Sequence, residues 1–129
     1  MLPKIDRNAS TAEQIEQAAK FAGVSPAILD GMWRTESARG THKTMEGPPT
    51  KWGTAKGHFQ HLDNIRETLS KRAGKEFDPF DFTDSLTMAT MMLKENKDKF
   101  GNDDDAIRAY FGGWNKKNWG KGTEDYLTK

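Results

Sequence analysis

Hydrophobic and polar positions along this chain fall into helical periods, broken once by a long stretch with none. Ser10-Thr11-Ala12-Glu13 is a capping box that opens a helix running to about Phe21, with Gly23 as its stop. Ser25 caps a second helix and Pro26 takes its first position, where a missing N–H costs nothing. Ile28, Leu29, Met32 and Trp33 then follow the i, i+3, i+4 spacing of an amphipathic helix. Glu36 lies on that apolar stripe, three and four residues beyond Trp33 and Met32.

Residues 39–60 lose the period. Gly40, Gly47, Pro48, Pro49, Gly53 and Gly57 punctuate a loop with room for a short hairpin. A loop of this length in a compact domain is usually functional or disordered. Helical spacing returns at about Leu62, with Ile65, Leu69 and Ala73 on one face and Gly74 as the stop. After a turn around Pro79, Thr83 or Asp84 is the expected cap of a longer helix through Leu86, Ala89, Met92 and Leu93 to about Phe100. Asn102 caps the next helix, which ends at Tyr110-Phe111-Gly112-Gly113. Thr123 to Thr128 forms a last short helix. The expectation is an all-α domain over 1–129, with about six helices and one long groove loop after the second.

Composition narrows the function classes. The 129 residues suffice for one domain with one core, and 30% charged against 34% hydrophobic residues is a globular composition. A net charge of +1 gives no global field for nucleic acid. With no Cys, disulfides and thiol chemistry are excluded. No apolar run reaches the ~20 residues of a membrane span. The start of the chain has no apolar core of a signal peptide. Asp103-Asp104-Asp105 reads as negative charge at a helix N-terminus, not as a metal cluster. His42, His58 and His61 lack the closed ligand set that zinc requires. No metal and no cofactor is expected.

Glu36 is the candidate for chemistry. A carboxyl at the edge of a hydrophobic core is desolvated, which disfavours its charged form and suits a general acid. Three stretches stand in order: Thr35-Glu36-Ser37 ending a helix, Gly57-His58-Phe59-Gln60 closing the loop, and Ala109-Tyr110-Phe111-Gly112-Gly113 ending a later helix. From about Gly23 to Tyr126 this arrangement resembles the lytic transglycosylase domain of the soluble, goose-lysozyme-like kind. In that family a helix ends in Glu-Ser, a loop closes with a Gly-Leu-Met-Gln-like signature, and a later helix ends in Ala-Tyr-Asn-Ala-Gly.

The resemblance implies that Glu36 is the single catalytic acid. It implies that Gln60 lines the sugar groove, that Gly57 allows close backbone approach, and that Phe59 is an apolar wall under a sugar ring. Tyr110 would reach toward the acid and the reacting sugar. Tyr126 matches more loosely an aromatic near the family's C-terminal end. Phe111 stands where the family has Asn, and Asn115 is a candidate substitute for the lost contact. The family's loop Ser has no clean counterpart, leaving Thr50 or Thr54 to supply a hydroxyl. Trp114 is the best candidate among the loop tryptophans to stack on a sugar.

The implied substrate is the glycan strand of peptidoglycan, cut at its β-1,4 link from N-acetylmuramic acid to N-acetylglucosamine. Asp30, Asp63 and Glu46 are the nearest alternatives for a second carboxylate, and none has a family counterpart. A hydrolytic muramidase of the same fold and an inactive wall-binding module are the rival readings. The setting implied is a bacteriophage particle that delivers the domain to the periplasm and wall, as part of a virion or envelope-spanning assembly, with a bacterial secretion-system transglycosylase as the alternative.

Overall fold

The computed structural model describes residues 2–128, so the two end residues of the expected 1–129 domain lie outside it. Its helices are α1 (Thr11–Ala22), α2 (Pro26–Ser37), α3 (Asp63–Ala73), α4 (Phe82–Phe100), α5 (Asp103–Gly112) and α6 (Lys121–Thr128). A 3-10 turn, Lys116–Asn118, precedes α6 and has no counterpart in the sequence reading. Among the described residues the remainder holds isolated β-bridges and no sheet. The architecture is all-α, as the periodicity predicts.

The caps explain most boundaries. Ser10 accepts from the Glu13 N–H, Ser25 from Ala27 and Asn102 from Asp105. Gly23, Gly74 and Gly101 end α1, α3 and α4 in the left-handed conformation. One expected cap is corrected. α4 begins at neither Thr83 nor Asp84, because Asp81 supplies the oxygen that takes the Asp84 N–H at 2.8 Å. Arg7 reaches across from the N-terminal segment to pair with Asp81 at 2.8 Å and with Asp84 at 2.9 Å.

α4 is the central element, packed against α1, α3 and α5. Its fully buried Leu86, Ala89 and Leu93 meet Ala18, Ala19 and Ala22 of α1, Leu29 and Met32 of α2, and Ala106 of α5. The alanines let the helix backbones approach closely. Burial of each leucine contributes about 2 kcal/mol. A second cluster, Leu69, Phe77, Met88 and Met91, fixes α3 to another face of α4. That divergence of α3 from the main core leaves a groove between α3, α5 and the long loop.

Candidate active site

The loop expected to be functional folds back on α2 through one hydroxyl. Ser37 donates its Oγ–H to the His58 carbonyl at 2.8 Å, and the same oxygen takes the Gly40 N–H at 3.0 Å. The backbone at Ala38, Arg39 and Gly40 runs left-handed, turning the chain sharply away from the helix. Arg39 holds this turn with two bonds to Asp30, at 2.9 and 2.7 Å. Further on, the Gly47 N–H bonds the Ala55 carbonyl at 2.9 Å, and Thr50 and Gly53 exchange two bonds of 3.0 Å. The short hairpin allowed by the sequence is therefore formed, with Trp52 at its tip and 69% exposed.

α4 fixes the end of the loop. Ser85 takes the Phe59 N–H on its hydroxyl at 3.0 Å, and its carbonyl lies 3.0 Å from His61 Nε2. The carbonyl can only accept, so His61 is the neutral Nε2–H tautomer. Burial lowers its pKa from 6.5 to about 4, against the opposing bond to Ser85. The folded pKa lies below the unfolded one. The stability contributed by neutral His61 is therefore complete above pH 6.5 and lost as the pH falls toward 4, about 3 kcal/mol in all. The expected result is a urea midpoint that drops between pH 7 and pH 4.5, with a shallower drop for His61→Gln. Equal slopes in the two proteins would remove His61 as the cause.

Glu36 is half-buried at the end of α2 and lines a groove of about 800 Å³. Two tyrosine hydroxyls lie within reach of its charge. The Tyr110 pKa is raised well above its ordinary value by burial first and then by the Glu36 charge, and Tyr126 is raised by the same two causes. Tyr110 donates to the Phe59 carbonyl at 2.9 Å. The Tyr126 hydroxyl is buried and has no hydrogen-bond partner. Its ring stacks on Phe111 with centroids 5.0 Å apart.

Of the candidate residues, Glu36, Gln60, Tyr110, Phe111 and Trp114 all line the groove. Gln60 has φ of 57°, and its amide donates to the Met45 and Gly57 carbonyls, both at 2.9 Å. Its Oε1 lies beside Gly47. Trp114 donates to Asn96 Oδ1 at 2.6 Å while keeping half its surface exposed. Thr50 lines the groove, although its hydroxyl already donates to the Gly53 carbonyl at 2.8 Å.

Other candidates lie elsewhere. Phe59 is 0% exposed and belongs to the core, so it is no wall under a sugar. Gly57 does allow close backbone approach, but to the Pro79 carbonyl and not to a ligand. Asn115 caps the 3-10 turn through the Lys117 N–H and is not on the groove. Tyr126 is buried and does not line the groove; its ring stacks on that of Phe111, which does. Asp30, Asp63 and Glu46 do not line the groove; Asp30 is held by Arg39 and Asp63 by Lys56. Among the described residues, no three His, Cys, Asp or Glu side chains gather as they would around a metal ion.

Three contributors escaped the sequence reading. Ser37 and Ser85 are the hydroxyls that tie the loop to α2 and α4. His58 Nδ1 takes the Trp33 indole N–H at 3.1 Å, so a Trp packed against the core also anchors the loop. The Glu-Ser pair was the one available signal for Ser37.

Comparison with known proteins bears on this arrangement. Over 117 residues, 91% of its length, the chain is 30% identical to a protein named Transglycosylase from Enterobacteria phage PRD1. The chain is a relative of a phage transglycosylase. It spans only 40% of that protein's length. No protein-family model matches the chain. No solved structure matches it either.

Proposed function

We propose that this domain cleaves the glycan strands of peptidoglycan, with Glu36 as acid and then base. The observation that carries the reading is the half-buried Glu36 carboxyl at the wall of an open groove, near enough to Tyr110 and Tyr126 for its charge to raise both phenols. The kinship with a phage transglycosylase supports the choice of chemistry.

Paired-carboxylate glycosidases place their acids about 5–9 Å apart. Besides Glu36, the carboxyl on the groove is Glu95, and Arg72 engages it at 2.6 Å. A one-carboxylate route suits this wall better. Glu36 gives its proton to the glycosidic oxygen as the bond to C1 breaks. The substrate's own acetamido oxygen supports the developing positive charge at C1. The Glu36 carboxylate then takes the proton of the 6-hydroxyl, whose oxygen closes on C1. The product is a 1,6-anhydro sugar and no water is consumed. The Tyr126 hydroxyl steadies the Glu36 carboxylate between steps, and the Tyr110 oxygen, its own proton given to the Phe59 carbonyl, can accept from the protonated acid. On this reading the domain acts in the periplasm and wall, delivered by a phage particle as part of a larger assembly.

Digestion of purified peptidoglycan, with mass spectrometry of the muropeptides, tests the proposal. Products one water lighter than hydrolysis products are expected. Ordinary reducing ends would make the domain a muramidase, and intact strands would leave a binding module.

Tyr126→Phe gives a sharper check on the site. Removing a buried hydroxyl that makes no hydrogen bond is close to neutral for stability. The melting temperature is therefore expected to stay within about 2 °C. Cleavage should nonetheless fall about tenfold if the hydroxyl takes up a charge-assisted bond to Glu36 only once substrate is bound. Unchanged turnover would remove Tyr126 from the site.

A further inference from the structure

The groove has two chemistries. With Glu36 it is lined by hydrogen-bonding groups and by the exposed rings of Trp52, Phe111 and Trp114, the last held on Asn96 of α4. Faces of this kind suit sugar rings. The wall built by α3 and α4 differs. It is aliphatic, made by Ile65, Leu69 and Met92, and it ends in the ion pair Arg72–Glu95. Both partners of that pair are about half exposed. A pair so exposed contributes about 1 kcal/mol or less to stability. The bond to Glu95 uses one of the five guanidinium N–H donors, leaving donors for a carboxylate arriving from the groove.

We propose that the α3–α4 wall, with Arg72 and Glu95, is a subsite for the peptide branch that peptidoglycan strands carry on their muramic acid residues. The inference rests on the glycan-cleaving reading above. A short peptide with aliphatic side chains, free carboxylates and a free amine is the part of that substrate whose chemistry matches an aliphatic floor ending in a cation and an anion. The Arg72 guanidinium takes a branch carboxylate in forked geometry. Glu95 takes the branch ammonium. The consequence is a preference for strands that still bear peptides over strands stripped of them.

The test compares cleavage of peptide-bearing glycan strands with cleavage of the same strands after amidase treatment. Native protein is expected to favour peptide-bearing strands about tenfold, and Arg72→Gln to bring that ratio near one. The double exchange Arg72→Glu with Glu95→Arg restores an ion pair between α3 and α4 with the charges reversed. A merely structural clip would recover the native ratio in this variant, whereas a subsite keeps it low. A native ratio near one, or an unchanged ratio in Arg72→Gln, overturns the inference. Native protein inactive on both substrates would instead overturn the glycan-cleaving reading itself.

Discussion

Replacing Glu36 by Gln is expected to lower peptidoglycan cleavage by about a thousandfold or more while leaving the fold in place. General acid–base groups typically contribute about 10²–10⁴ in rate. Here one side chain is asked to serve as both acid and base, so the upper part of that range applies. Gln keeps the shape and a hydrogen-bonding oxygen, yet it can neither give nor take the proton. Glu36 ends α2 and is only half-buried, so the exchange should move stability by about 1 kcal/mol or less. Muropeptide release over time and a thermal melt on the same preparations check the two halves. Loss of activity with a melt lowered by more than about 10 °C would point to unfolding. Activity within tenfold of native would remove Glu36 as the proton donor, and Glu95 would be the carboxyl left on the groove.

The helices were legible because their caps are local. Ser10, Ser25, Gly23, Gly74 and Asn102 each act on backbone within a few residues, and each stands where the sequence places it. Glu36 was legible for a related reason: its place on the α2 stripe follows from spacing alone. The start of α4 was less so, because Thr83 and Asp84 have the residue types of caps while Asp81 takes the role. The choice among them depends on Arg7, distant in sequence, which binds Asp81 and Asp84 together. Phe59 was misread for another reason. A residue beside Gln60 in an irregular loop has no period to reveal its direction. The Ser85 hydroxyl on the Phe59 N–H turns that ring inward. The Arg72–Glu95 wall depends on the packing of α3 against α4, which no local pattern shows.

Gly57 is the position where local conformation and long-range packing meet, and Gly57→Ala is expected to damage the protein more than any other single methyl group added to this loop. Its φ of 88° is one that side chains rarely adopt. An added Cβ would stand 1.7 Å from the Pro79 oxygen and 2.3 Å from its carbonyl carbon. Both obstacles are backbone, so no side-chain rotation relieves them. The contact is also held from either side, by the Gly57 N–H on Met45 at 2.8 Å and the His58 N–H on Pro79 at 3.1 Å. Left-handed strain of about 1–2 kcal/mol and overpacking of about 1–3 kcal/mol together give roughly 3 kcal/mol. That corresponds to a melting temperature lowered by about 10 °C. Gly53→Ala is the control. Its φ of 108° imposes strain too, but no atom lies within 4 Å of the added carbon. Strain alone should therefore lower its melt by only about a third to a half as much. Equal losses at the two glycines would show that conformation alone matters, and that the Pro79 contact does not hold the loop. The predicted gap has a functional side. Residues 57–60 carry the His58 carbonyl that Ser37 binds, the Phe59 carbonyl that Tyr110 binds, and Gln60 itself. Moving that segment disturbs what surrounds Glu36 from three directions, so Gly57→Ala should lose cleavage even below its melting temperature, whereas Gly53→Ala should retain it.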